Sequence, residues 1–165
     1  MVHTKPMRRH LLLPIGLLVL TIGCGIAAPA WPSGYREAVC AATTHLRAAE
    51  GAFAEAAAGI EAADAERVAI AAAGMERESN DALDALKDAP GWAPGAQLLV
   101  DLQGAAIAFA RAASEFRVGA REGDGPALDG AVASAQEGDA ALARADVEGE
   151  RLRNSIGWNR ADLCG

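Results

Sequence analysis

Residues 34–62 read GYREAVCAATTHLRAAEGAFAEAAAGIEA, and within them the larger apolar side chains Val39, Leu46, Phe53 and Ile60 recur seven positions apart. Ala42, Ala49 and Ala56 interleave with them. Seven residues are close to two helical turns, so these side chains share one stripe, and a stripe held over four repeats is a seam for packing on other helices. Alanine, the strongest helix former, supplies 41 of the 165 residues, while strand-favouring side chains are sparse. The fold class is all-α.

Working outward, Ser33 is placed to cap this first helix, from about Gly34 to Ala62. Asp64 is a good N-cap for a second helix running to about Lys87, with Glu66 in its first turn and Val68, Met75, Leu83 and Leu86 as its inward stripe. The stretch 88–95, DAPGWAPG, then breaks the helix twice with proline. A third helix, about Ala96 to Ala120, carries Leu99, Leu102, Ile107, Phe109 and Phe116. Pro126 suits the start of a fourth, through about Arg153, that turns Leu128, Ala135, Leu142, Ala145 and Leu152 inward. Four long helices on short connections predict an antiparallel up-down-up-down four-helix bundle with both chain ends at one pole. The tail after Asn154 is then expected to fold back, with Trp158 or Leu163 over the bundle end.

A weak internal repeat at an offset of 60 pairs Glu55 with Glu115, Gly59 with Gly119 and Asp64 with Asp124. The plainer reading is a shared local need: a glycine near a helix end and an aspartate at the next helix start.

The chain opens on a targeting pattern. Lys5, Arg8 and Arg9 precede an uncharged apolar run from Leu11 to Ile22, about a dozen residues and too short for the roughly 20 that span a bilayer. Residues 1–30 therefore read as a signal peptide and 31–165 as one helical-bundle domain. Arg8-Arg9-His10-Leu11-Leu12 loosely resembles a twin-arginine signal, without the polar residue expected at Met7. Ala28-Pro29-Ala30 supplies a small-x-small cleavage site, releasing a chain that begins at Trp31. Leu20-Thr21-Ile22-Gly23-Cys24 resembles a bacterial lipobox, departing from it at Thr21, and implies lipidation of Cys24 after cleavage before it. The expected location is outside the cytoplasm, as a membrane-tethered lipoprotein or a secreted or periplasmic protein.

Either route removes Cys24 from the pairing count and leaves Cys40 and Cys164, which an oxidising compartment joins as a disulfide. Loss of Lys5, Arg8 and Arg9 also takes the net charge from −7 to −10. Such a surface repels phosphate backbones, and nucleic acid is excluded as a partner.

Catalytic patterns are missing. His3 and His10 fall in the signal peptide, which leaves His45, near Glu37 and Glu50, as the only imidazole of the domain. Glu-x-x-His pairs, Cys-x-x-Cys-His, Gly-x-Ser-x-Gly and a phosphate loop are all absent from the sequence. The alanine-filled seam brings helices too close to enclose a haem or a lipid, so no cofactor is expected. The second helix carries Glu76, Glu78, Asp81, Asp84 and Asp88, with Arg77 and Lys87 as local partners. Trp92, in the proline-rich turn, is read either as an exposed partner anchor or as a lid over the bundle end. The expectation is a non-enzymatic module of the bacterial cell envelope acting by protein contact, through a helix face or Trp92. The alternative is a small-ligand or divalent-cation binding bundle that uses Asp81 and Asp84.

Overall fold

The structure, a computed structural model, describes residues 31–156 and Cys164. Residues 1–30, expected to be a signal peptide and including Cys24, lie outside the described residues, as do Trp158 and Leu163. Four helices make up nearly all of the rest: α1 Tyr35–Glu61, α2 Ala65–Lys87, α3 Ala96–Glu122 and α4 Gly125–Ile156, with one 3-10 turn, Ala93–Gly95, ahead of α3. No strand occurs among the described residues. The protein is an all-α bundle in which α1 packs on α2, α3 on α4, and α2 on α3.

Helix limits follow the chain's capping chemistry, with two corrections. Ser33 does not cap α1; the N-cap position is Gly34, at φ +86° with no side-chain cap, because the chain enters through a turn closed by Tyr35 N–H donating to Pro32 C=O. Pro126 is the second residue of α4 rather than the first, and Asp124 caps that helix, its Oδ1 accepting from Ala127 N–H at 3.4 Å. Asp64 caps α2 as expected, accepting from Arg67 N–H at 3.0 Å.

The two helix-to-helix corners are built alike. Asp64 N–H donates to Gly59 C=O at 2.8 Å, and Asp124 N–H donates to Gly119 C=O at 3.2 Å. Each corner turns on one left-handed residue, Ala63 at φ +54° and Gly123 at φ +65°. Both glycines sit under the next helix: a Cβ on Gly59 would lie 2.8 Å from Val68 Cγ2, and one on Gly119 would lie 2.5 Å from Leu128 Cδ2. The repeated Gly and Asp thus meet the same local need twice, a close helix approach followed by a cap.

The offset of 60 also organises the core. Tyr35 Oη bonds to Gly95 C=O at one end of the bundle, while Gly59 and Gly119 line one shared groove at the other, so α1 and α3 run level with one another. Along them Ala42 matches Leu102, Leu46 matches Ala106, Ala49 matches Phe109, Phe53 matches Ala113 and Ala56 matches Phe116. All are buried except Phe53, which is half-buried and stacks on Phe116. Where one helix carries a large side chain the other has alanine, which holds the filled volume steady from level to level.

One of the larger apolar residues of α3 is on the outside. Ile107 is 59 % exposed. It stands two residues before Phe109, and two steps of a 3.6-residue helix put it on nearly the opposite side from Phe109, Leu102 and Phe116.

Candidate functional site

Cys40, in the second turn of α1, is joined to Cys164 by a disulfide across 124 residues, with Cα atoms 5.2 Å apart. The bond ties the C-terminal tail to the start of the bundle.

Trp92 is turned inward, 8 % exposed. Its ring stacks on Trp31 at 5.0 Å and meets the edge of Tyr35 at 5.2 Å, while Trp31 meets Tyr35 at 5.0 Å. In this arrangement Trp92 is the lid of the bundle end and not an exposed anchor. Tyr35 is fully buried beneath it, and burial, with Glu148 nearby, pushes its phenol up to about 12.

The acids of α2 do not act as one face. Glu76 accepts from both Nη atoms of Arg117 on α3, at 2.6 and 3.1 Å. Asp88 stands at the C-cap of α2. Glu78 and Asp81, one turn apart, instead meet His45 of α1: His45 Nδ1 donates to Glu78 Oε2 at 2.9 Å, and one donor atom from each of the three residues lies within 4.8 Å of the other two. Asp84 is not in this set. Arg77 holds the other Glu78 oxygen, Oε1, through Nε at 3.2 Å and Nη2 at 3.0 Å. Those two donors, His45 first and Arg77 second, keep the Glu78 carboxyl below the usual carboxylate range. The cluster is half-open, with side-chain exposures of 36 % at His45 and 19 % at Glu78.

The sequence reading set His45 beside Glu37 and Glu50 of its own helix. Glu50 in fact accepts from Arg47 Nη1 at 2.9 Å, and the partner of His45 comes from 33 residues further on. The signal was present: the chain folds back at the Gly59 and Asp64 corner, and residue 45 lies as far before that corner as residue 78 lies beyond it.

A second feature is the outer side of α3. Val100, Ile107 and Val118 are 58 %, 59 % and 40 % exposed, and their spacings of seven and eleven residues bring them into one row. Gly104 turns instead toward α4, its Cβ position 4.0 Å from Ala141 Cβ. No helix among the described residues is long and apolar enough to cross a membrane.

The chain matches no protein-family model, no curated protein and no solved structure.

Proposed function

We propose that the chain is an exported, non-enzymatic helical bundle of the bacterial cell envelope, of up-down-up-down topology, that works by protein contact through the outer face of α3. The observation that carries this reading is the row Val100, Ile107 and Val118, three β-branched side chains held out to solvent on the face that the bundle leaves uncovered. Their spacing suits a helix of a partner protein laid along α3. Supporting export are the targeting pattern of residues 1–30 and a disulfide between the two cysteines left after processing. Supporting the topology are the bond from Tyr35 to Gly95 and that from Arg151 Nη2 to Pro94 C=O at 3.0 Å, which gather the start of α1, the α2 to α3 turn and the end of α4 at one pole.

Site-specific photo-crosslinking in the native host tests the contact. A crosslinker at position 107 gives one discrete adduct, lost in Val100→Glu, whereas the exposed position 73 on α2 gives none. Equal capture from both positions overturns the proposal, as does substrate turnover by the purified chain that disappears in His45→Ala. Intact mass of the extracted protein reads the export step: a chain starting at a lipidated Cys24 or at Trp31 agrees with it, and one still starting at Met1 does not.

A further inference from the structure

We infer that His45, Glu78 and Asp81 form a binding site for a divalent transition metal ion of the Zn2+ class, bridging α1 and α2. The inference is separate from the contact surface on α3 and uses no residue of it.

Donor type comes first. An imidazole with two carboxylates suits Zn2+ and its neighbours Co2+, Ni2+ and Cu2+, whereas Ca2+ and Mg2+ take all-oxygen sets. The residue that makes the difference is His45, the only histidine after residue 10. Geometry comes second. Tetrahedral ligands about 2.0–2.1 Å from a zinc ion lie about 3.3 Å from one another. The three donors here already lie within 4.8 Å of one another, with Nδ1 and Oε2 at 2.9 Å, so side-chain rotation without helix movement closes them on an ion.

The surroundings are those of a held ligand. Arg77 fixes Oε1 of Glu78 and leaves Oε2 directed at the imidazole, the role that outer partners play for metal-bound carboxylates. In the ion-free arrangement the proton on His45 Nδ1 occupies the place between ring and carboxylate. Binding moves that proton to Nε2, gives the Nδ1 lone pair to the ion, and sets two carboxylate charges against its double charge. Three partly exposed protein ligands leave the remaining position to water or to a donor from another molecule.

Isothermal titration of the untagged full chain with Zn2+, and separately with Ca2+, tests the site. One Zn2+ per chain is expected, with affinity at least tenfold weaker in His45→Gln and in Asp81→Asn and unchanged in Asp84→Asn. Helical circular dichroism of each variant verifies that the bundle is intact, and Co2+ loading reports imidazole ligation by a visible absorption band that His45→Gln removes. Absence of Zn2+ binding overturns the inference. So does Zn2+ binding of equal strength in His45→Gln, or a preference for Ca2+ that depends on Asp84.

Discussion

Tyr35 Oη donates a 2.7 Å hydrogen bond to Gly95 C=O, linking the first turn of α1 to the turn that starts α3. The phenol is fully buried, and ionising it would leave a charge without water and a carbonyl without its donor. Its pKa of about 12 in the folded chain lies above the ordinary 10.0 of an unfolded one, so the folded state keeps the proton longer. Stability is therefore undiminished below pH 10 and falls as pH rises from there to 12. The loss totals about 3 kcal/mol at two pKa units. Because Tyr35 is the only tyrosine, the absorbance of tyrosinate follows this one group. The expected titration has its midpoint near 12 or coincides with alkaline unfolding; a reversible midpoint near 10 in folded protein would falsify the buried hydrogen bond.

Glycines at close approaches and glycines in open helix respond to alanine in opposite directions. At Gly119 a Cβ meets Leu128 Cγ at 2.6 Å, and at Gly95 it meets Trp92 Cε3 at 2.5 Å, so Gly119→Ala and Gly95→Ala force the packed partner aside and cost about 1–3 kcal/mol. Gly51 has nothing within 4 Å of its virtual Cβ and lies exposed in the interior of α1. Gly51→Ala gains about 0.5–1 kcal/mol of helix propensity. Urea unfolding of the three variants checks the signs, and a stabilised Gly119→Ala would mean that the two helices at that corner are not in contact.

The corners supply a second matched pair. Ala63 and Gly123 occupy the same left-handed position, at φ +54° and φ +65°, where a Cβ is crowded by its own backbone. Ala63→Gly relieves that crowding and raises stability by a few tenths to about 1 kcal/mol, while Gly123→Ala lowers it by a similar amount. Denaturant midpoints moving the same way in both variants would show that the corners are not equivalent.

How much of this was legible in the sequence differs by feature. Helix number and the inward stripe through Val39, Leu46, Met75, Leu102, Phe109 and Phe116 follow from periodicity, because burial of one face is a property of a single helix. Ile107 falls outside the seven-residue spacing of Leu102, Phe109 and Phe116, and its place in the exposed row of α3 follows from its angle on the helix. The meeting of His45 with Glu78 and Asp81 depends on the register between two helices, so it is legible only once the corner at residues 59–64 is used to set that register. Trp92 is inside because Trp31 and Tyr35, from the opposite side of the sequence, are brought to the same level by the offset that also joins Tyr35 to Gly95.

Asp139 of α4 faces Arg47 and Glu50 of α1, and its carboxyl is raised above the usual range by burial first and by the Glu50 charge second, with Arg47 opposing. Its Oδ1 is buried with no hydrogen-bond partner among the described residues. An acid raised in the folded state takes its proton at higher pH than in the unfolded chain, so stability falls as pH rises from the ordinary value of 3.8 through the raised one, and the cost persists at neutral pH. Asp139→Asn removes that charge, so it stabilises the protein at pH 7 and has little effect at pH 3. Thermal melts at the two pH values decide it: a variant less stable than the parent at pH 7 means that the carboxylate has a favourable partner there.

The disulfide from Cys40 to Cys164 closes a loop of 124 residues, longer than any single helix could hold in place. On the chain-entropy account, restraining so long a loop raises the free energy of the unfolded chain by about 5 kcal/mol. A domain of this size has a net stability on the order of 5–15 kcal/mol, so the bond decides a large share of it. The paired variant Cys40→Ser with Cys164→Ser should melt on the order of 15 °C below the oxidised parent. Val39 and Leu46, on the buried face of α1, lie among the packed helices, so helical circular dichroism of the variant at low temperature is expected to be unchanged. Reductant should lower the melting temperature of the parent to that of the variant and leave the variant where it is. If the two melt together without reductant, the tail at Cys164 restrains nothing in the unfolded chain, and the stability of the bundle lies wholly in its helix contacts.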